Sequence, residues 1–529
     1  MLTYLIFITF LSPICLLVYR LYLYPRFLSP LRHLPGPPLG PIIAGQFGYM
    51  LSNEAGIPQR QWVKEYGPVV RVVGPIGVER MILASREALH KILVSDWGSY
   101  PRPRFMQYVL GSVAGYGLLT VEGRDHRQMK RAMNPAFGLQ HLVPQVEMYY
   151  EPIEALIEIL NGHIDALVVP QNGKILPMYE WVSRAALDII CSTAFGYRTD
   201  SLHNPHNELA EAYEELLNLQ SGENLAGFIA LFSIPGMGRL SRSGWLQRNS
   251  WIFDLHKSLN PGHTMINCMN RIKRVSADLL AEKVADASLV SDNDSKKDIM
   301  SILVRARKAG MEKKPGSAAD DYVMTDQEMM DQVLTFLGAG HETTASGLAW
   351  TLFLLASNPE AQDKLRQEVK TAFDAADGRP DYKQLKEMEY LEHVIMESLR
   401  LLPPVPMTIR RADKSDYIDG AYIPAGTLFY IPIRVVNTWT EIWGADAEEF
   451  RPERWAHLPP RAHFLTFIEG PHACIGKTMA IVEMKAIVGA LINNFAFEPS
   501  VEGQVLIPTA AVTMKPKDSM PLRVKRVQK

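Results

Sequence analysis

A single cysteine, Cys474, stands between two glycines in the stretch Phe467 to Gly476, which reads F-I-E-G-P-H-A-C-I-G. The apolar residues after it (Ile475, Met479, Ile481, Met484, Ile487) recur at helical spacing, so a loop runs into a helix at the cysteine. A sulfur at such a junction faces unpaired backbone N–H groups and the positive end of the helix dipole, which favour the thiolate. A soft, anionic sulfur suits iron, and Gly470 and Gly476 have no side chain to hold the backbone away from a large flat ligand. Most lone cysteines are small buried hydrophobes, so the residues around this one must carry any functional reading.

Two further groups could do chemistry. In A-G-H-E-T-T, residues 339 to 344, Glu342 and Thr343 put an acid and a hydroxyl into a run made apolar by Leu334, Phe336, Leu337, Leu348 and Trp350. His341-Glu342 also opens the zinc-protease pattern H-E-x-x-H, but residue 345 is alanine, which excludes that reading. Glu397 and Arg400, in E-S-L-R, lie three apart and share a helix face. On a surface such a pair contributes little; buried with a third charge it becomes a network in which no member can be spared.

The elements that must position these residues are mainly helical. Thr325 to Ser357 is the longest helical signal, opened by a Thr325/Glu328 capping box and closed at Asn358-Pro359; some thirty residues span roughly 45–50 Å. Gly123 to Phe137 reads as a basic helix ending at Asn134-Pro135, and Gln145 to Leu160, Tyr179 to Phe195, Asn207 to Leu219 and Trp251 onward as further helices, with a kink at Pro152. Val69 to Leu83 predicts a strand hairpin, Ser85 to Val94 a capped helix, and Pro101 to Gly117, with its prolines and glycines, a loop. Val405 to Val436 alternates between turns at Asp419-Gly420 and Ala425-Gly426, giving strands of a small sheet, and Val505 to Thr513 predicts a last hairpin. Phe228 to Met237 is apolar and broken at Pro235-Gly236, which fits either core or a loop dipping into lipid. Ser288 to Lys297 and Ala309 to Asp321 are polar and read as exposed linkers.

With 529 residues and 47% apolar content the chain can bury a large core, and a net charge of −2 excludes a nucleic-acid partner. Four widely separated cysteines suggest neither a zinc site nor a disulfide framework, and no C-x-x-C-H is present for covalent haem attachment. Leu2 to Tyr24 is almost continuously apolar and long enough to cross a bilayer, and it ends in Arg20, Leu21, Tyr22 rather than in the small residues of a cleavage site. Residues 1–24 therefore read as a retained transmembrane anchor. Arg20, Arg26 and Arg32 put the rest in the cytosol, where the sequon at Asn293 stays unglycosylated. Residues 25–41, basic and ending in L-P-G-P-P-L-G-P, read as a stiff linker, and 42–529 as one catalytic domain.

The loop at Cys474 resembles the haem-binding loop of the cytochrome P-450 family: phenylalanine, two residues, glycine, three residues, cysteine, one residue, glycine. The residues around Glu342 and Thr343 are similar to that family's oxygen-activating segment. E-S-L-R and F-R-P-E-R-W resemble its paired motifs, in which Glu397, Arg400 and Arg454 would lock the loop carrying the cysteine. The resemblance covers essentially the whole chain. It implies a mainly α fold with small β sheets behind one N-terminal membrane helix, single-pass in the endoplasmic reticulum. It further implies haem b with Cys474 as axial ligand, and a monooxygenase that inserts one atom of O2 into a small, mostly apolar organic substrate. Glu342 and Thr343 would relay protons to dioxygen. No flavin or nicotinamide-binding segment follows, so an NADPH-dependent reductase on the same membrane lipid would supply electrons.

Where the family carries an arginine before the cysteine, and a tryptophan and an arginine on the basic helix, all at haem propionates, this chain has His472, His126 and Lys130, which implies weaker or titratable donors. Arg410 corresponds to the family's strand arginine at a propionate; the rival is a plain exposed strand arginine. The divergent residues look most like fungal members, many of which serve secondary metabolism. Two alternatives stay open here: a haem-thiolate isomerase or dehydratase that does not use O2, which Glu342 and Thr343 disfavour, and a haem-binding sensor without turnover.

Overall fold

The computed structural model describes residues 12–13, 15–204, 206–219, 222–289, 298–312, 322–458, 462–505, 507–509 and 512–527. The chain forms two compact units, one of Met1–Pro103, Val405–Glu448 and Arg461–Ala473, the other of Arg104–Pro404, Glu449–Pro460 and Cys474–Lys529. Strands are numbered along the chain: β1 (Val69–Val73), β2 (Glu79–Leu83), β3 (Lys174–Pro177), β4 (Thr408–Arg411), β5 (Asp416–Ile418), β6 (Ala421–Ile423), β7 (Leu428–Ile431), β8 (Phe495–Pro499) and β9 (Pro521–Arg526).

The first unit is built on a four-stranded sheet of order β1-β2-β7-β4. β1 and β2 form the expected antiparallel hairpin, with Val70 opposite Ile82, and β4 pairs antiparallel with β7, placing Arg410 opposite Phe429. Val70, Val72, Ile82, Phe429 and Ile431 are buried, as β-branched and aromatic residues favour on a covered sheet face. β5 and β6 turn through Asp419 and Gly420, whose φ values of 46° and 78° are what a tight two-residue hairpin demands. The strand expected to run through Val436 stops at Ile431, because Pro432 has no N–H for the ladder and leads into a helical turn, Ile433–Val436. Ser85 caps the helix Arg86–His90 by accepting from the Ala88 amide at 3.2 Å.

The proline-rich segment is extended as expected, but it lies along β1 instead of standing clear of the globule. Pro35 O accepts from Arg71 N at 2.8 Å, and a Cβ on Gly36 would meet Arg71 O at 2.0 Å. Residues 2–11 and 14 of the expected anchor lie outside the described residues. Tyr19–Leu28 is helical with wide i→i+5 turns, which accommodate the missing donor of Pro25. Among the described residues no helix is long and apolar enough to cross a membrane.

The second unit is helical. Its site-forming helices are α1 (Arg104–Ala114), α2 (Gly123–Met133), α3 (Met178–Phe195), α4 (Asp326–Ser357), α5 (Glu389–Leu401) and α6 (Lys477–Asn494). α4 has 32 residues, about 48 Å at helical rise. It begins at the predicted capping box, where Thr325 Oγ1 accepts from Glu328 N and the Glu328 carboxylate accepts from Thr325 N. Leu334, Leu337, Ala345, Leu348 and Trp350 are buried along it, and α3 lies alongside so closely that a Cβ on Gly340 would stand 2.8 Å from Ile190. The sheet β3-β9-β8 closes one side of this unit.

Pro101 to Gly117, expected as a loop, contains α1. Its glycine and proline content misleads: Gly111 is helical, sits under the ring of Tyr116, and the chain turns only at Gly115, where φ is +71°. Packing on α4 stabilises the helix, for Thr335 Oγ1 donates to Ala114 O at 2.8 Å. Phe228 to Met237 is helix (Gly222–Ser233) up to a break at Pro235-Gly236, with Phe232 buried and Ile234 exposed. The two expected polar linkers fall largely outside the described residues, although Ala309 to Glu312 still belong to the helix Ile299–Glu312.

Candidate functional site

The middle of α4 presents two different faces. Glu342 is buried, and its carboxylate accepts from Tyr179 OH and from Thr513 Oγ1, both at 2.8 Å. Thr343 is only half-buried, shares a face with Ala339 one turn earlier, and donates its hydroxyl to Ala339 O at 2.7 Å. Acid and hydroxyl are therefore neighbours in sequence that do not bond to each other. Glu342 holds the Tyr179 phenol well above its usual range, with burial the larger cause, so Tyr179 is a neutral donor. Burial pushes the His341 imidazole below its usual range; its Nδ1 faces the Leu337 carbonyl at 3.0 Å and must carry the proton, because a carbonyl only accepts. Gly340, on the same stretch, packs against Ile190, so that glycine serves helix packing.

Cys474 stands, as expected, one turn ahead of α6. Its side chain is exposed, yet surrounding protein is dense enough to raise the thiol pKa. The Gly476 backbone N–H, Lys130 and Lys477 act in the opposite direction. A Cβ on Gly476 would meet nothing within 4 Å, which fits a residue facing open space. Lys130 reaches this neighbourhood from α2, one turn beyond His126, which is buried on the same helix. The structure thus brings Lys130 toward the cysteine.

Glu397 is the centre of the buried network expected from the sequence. Arg400 grips it with Nε and Nη2, both at 2.8 Å, and Arg454 Nε adds a bond of 2.9 Å. The sequence reading missed two more donors, Trp455 Nε1 at 3.0 Å and the Arg451 backbone N–H at 3.0 Å. Trp455 lies next to Arg454 in F-R-P-E-R-W, so an aromatic N–H donor was visible there. All three charged groups are buried.

In the first unit, Arg410 is buried and donates to Thr408 Oγ1 and Ile409 O, both at 2.9 Å, which removes the alternative of an exposed strand arginine. His472 Nδ1 lies 3.1 Å from the Arg102 guanidinium, and the Trp97 ring meets the His472 ring edge-on at 5.2 Å. An arginine can only donate, so the ring nitrogen that faces it accepts. His472 is thus paired with Arg102, a residue that no spacing rule singled out. Phe467 packs against Phe464 at 6.1 Å. Gly470 has φ +70°, and a Cβ there would stand 2.1 Å from Leu93 O, so its lack of a side chain is accounted for by the close helix at Lys91–Ser95 and not by a ligand.

A narrow apolar crevice of about 10 Å³ lies in the second unit, walled by Val109 and Val113 of α1, Leu216, Phe228, Met265 and Val512 among others. Its one polar lining residue, Ser112, donates its hydroxyl to Val109 O at 2.8 Å. A last hairpin is present but lies later than the expected Val505 to Thr513: Thr509 N donates to Lys515 O and Lys517 N to Ile507 O, so Pro508 pairs with Pro516 in the ladder, and Val512 between the two arms lines the crevice.

Comparison with known proteins gives a match to the Cytochrome P450 family model over residues 34–522. Similar curated proteins include Cytochrome P450 monooxygenase 205 of Postia placenta, 31% identical over 92% of this chain and 90% of the relative. Cytochrome P450 monooxygenase sphH of Aspergillus fumigatus is 30% identical over 95% of this chain and 90% of its own. Cytochrome P450 monooxygenase 128, again of Postia placenta, is 30% identical over 96% and 94%.

Proposed function

The chain belongs to the cytochrome P450 family, and from that premise we propose that Cys474 is its haem ligand and that it oxidises a small apolar organic molecule with electrons from an NADPH-dependent reductase. Membership makes it a monooxygenase that binds haem through a cysteine thiolate and takes electrons, O2 and an organic substrate as its relatives do. The observation that carries the assignment of Cys474 is its setting: an accessible sulfur ahead of α6, where burial raises the thiol while the Gly476 N–H, Lys130 and Lys477 act against that rise, and open space at Gly476. This donor set fits an iron porphyrin, which needs a soft anion on the metal and cations near its carboxylates. When bound, the haem supplies O–O cleavage and C–H oxidation, favoured by electron density from the thiolate.

The remaining residues work around that chemistry. Glu397 with Arg400 and Arg454 locks the segment that leads to the cysteine loop. Thr343, half-buried on the open face of α4, offers its hydroxyl oxygen as a stop for a proton, and Glu342 supplies the exchangeable proton behind it. His126, Lys130, Arg410 and His472, with Arg102 beside it, are proposed to face the propionates. Gly470 and Phe467 shape the loop. The crevice lining, apolar but for a hydroxyl already spent on Val109, supplies the kind of wall that a hydrocarbon skeleton such as a terpenoid's would meet. We assign residues 1–24 to a membrane anchor of the endoplasmic reticulum, 25–41 to the linker and 42–529 to the cytosolic catalytic domain. Leu16 and Leu17, 64% and 50% exposed, and the exposed Leu23 and Phe27 that follow them are apolar side chains suited to lipid. A place in fungal secondary metabolism rests on the resemblance of His126, Lys130 and His472 to fungal members.

The test is reconstitution with an NADPH-dependent reductase and a panel of terpenoids, fatty acids and aromatics. Binders should shift the haem from low to high spin, and products should carry one atom of labelled O2. Unlabelled products, or binding without any NADPH-dependent product, would overturn the reading.

A further inference from the structure

The chain that leads into Cys474 contains a strained residue. Ile468 has φ +57°, in the left-handed region, which a β-branched side chain rarely enters and keeps only where its surroundings impose it. On the N-terminal side the imposition is plain. Asn437, fully buried, accepts from Leu465 N and donates to Thr466 Oγ1, both at 2.8 Å, and Ile468 N closes the turn on Leu465 O at 2.9 Å. Beyond the turn, Gly470 lies against Leu93 O.

A side-chain bond spans the turn between these two supports. His463 Nε2 lies 2.6 Å from Glu469 Oε1, so the chain is closed on itself from His463 to the residue after Ile468. That bond holds the Glu469 carboxyl below its usual range against the opposing effect of burial, and His90 and Arg86, from the helix Arg86–His90, act in the same direction as the bond. The carboxylate is therefore ionised and only accepts, which puts a ring proton on Nε2. His463 is itself buried, and its Nδ1 has no hydrogen-bond partner among the described residues. A bare buried ring nitrogen weighs against the fold, so the histidine is explained by what its other nitrogen does.

We propose that His463 and Glu469 are positioning residues for the haem ligand: their bond clamps the turn at Ile468 in its left-handed form and so fixes the course of the chain into Cys474. The proposal rests on the assignment of Cys474 given above and adds what holds its loop ready. Released from the bond, Ile468 relaxes to negative φ, which redirects the chain six residues ahead of the sulfur.

The test reads the thiolate itself. In the reduced carbon monoxide complex of the holoenzyme, the rate at which the thiolate band is lost in mild urea is compared among variants. Glu469→Ala removes the acceptor, and His463→Asn places its amide where Nδ1 was, out of reach of Glu469; each should lose the band roughly tenfold faster, the factor for one hydrogen bond to a charged group at the low end of its range. His463→Gln, whose amide N–H stands in the place of Nε2, should keep close to the wild-type rate. The double variant of Glu469→Ala with His463→Asn should be no faster than either single one, since both remove the same bond. Ile468→Gly, which takes the left-handed conformation without strain, should slow the loss again when added to His463→Asn. Amide hydrogen exchange over residues 465–470 should follow the same order, and it can be read without the haem. A wild-type rate in His463→Asn, a double variant in which the two effects multiply, or failure of both His463→Gln and Ile468→Gly to restore the band would overturn the proposal. If Cys474→Ser kept the thiolate band, the ligand assignment would fall instead, and the exchange data would still judge the clamp.

Discussion

Replacing Glu397 by alanine should cost more stability than replacing any one of its partners, and the structure sets the order. The carboxylate accepts five hydrogen bonds from four residues: two from Arg400, and one each from Arg454, Trp455 and the Arg451 backbone. Glu397 and Arg400 are 0% exposed and Arg454 is 3% exposed, so water cannot take over any of these bonds. Glu397→Ala takes the carboxylate away from two guanidinium groups, an indole N–H and a backbone N–H, and the Glu449 carbonyl that both arginines also reach carries no charge to replace it. Stranding buried charges in this way costs about 3–5 kcal/mol, against a total stability of roughly 5–15 kcal/mol for a typical native protein. Arg454→Ala leaves the carboxylate with four bonds and belongs near the low end of that range. Trp455→Phe removes one neutral donor and should cost about 1–2 kcal/mol. The assay is twofold: the amount of haem-loaded protein from the reduced carbon monoxide difference spectrum, and the urea midpoint of what can be purified. Normal haem loading and an unchanged midpoint in Glu397→Ala, or a Trp455→Phe as damaging as Glu397→Ala, would refute the network as a stabilising unit.

Cys474→Ser should abolish the thiolate-haem band, because a hydroxyl is a far poorer anionic ligand than a thiol; an unchanged reduced carbon monoxide spectrum would assign the ligand elsewhere. Thr343→Ala should keep haem and the spin shift on substrate binding, yet divert electrons from product into peroxide, measured as peroxide formed per NADPH. Glu483, nine residues after Cys474 on α6, is buried without a hydrogen-bond partner among the described residues, and burial pushes its carboxyl up to about 8. Its folded form holds the proton that the unfolded chain releases near the usual 4.5, so the stability it contributes is fully present below that value and is lost as pH rises toward about 8. Glu483→Gln should flatten the decline of the urea midpoint across this window; a parallel decline in wild type and variant would show that the carboxyl is not buried as described.

Much of the fold was legible because local rules and tertiary packing agree. The capping box at Thr325, the Asp419-Gly420 turn, the β1–β2 hairpin and the Ser85 cap need only a few neighbouring residues to satisfy their backbone groups, so their patterns stand in the sequence. α1 was not legible, because its glycines and flanking prolines argue for a loop, and burial against α4 decides otherwise. The end of β7 at Ile431 follows from Pro432, a signal that the alternation around it hid.

For the site, the sequence by itself determined which residue types carry chemistry: one cysteine ahead of a helix, an acid beside a hydroxyl in an apolar helix, and a glutamate with arginines at fixed spacings. Those follow from chemistry and from helical or loop periodicity, which are local. Tertiary structure alone decided what each one touches. Tyr179, 163 residues from Glu342, and Thr513, 171 residues away, became its donors, and Arg102, 370 residues from His472, became its neighbour. The same packing set Gly340 against Ile190 and Gly470 against Leu93, the second of which the sequence had read as room for a ligand. Spacing along a chain fixes directions only over a few turns. A hydrogen bond between residues hundreds of positions apart is set by how whole elements bury their apolar faces, and no local pattern encodes that.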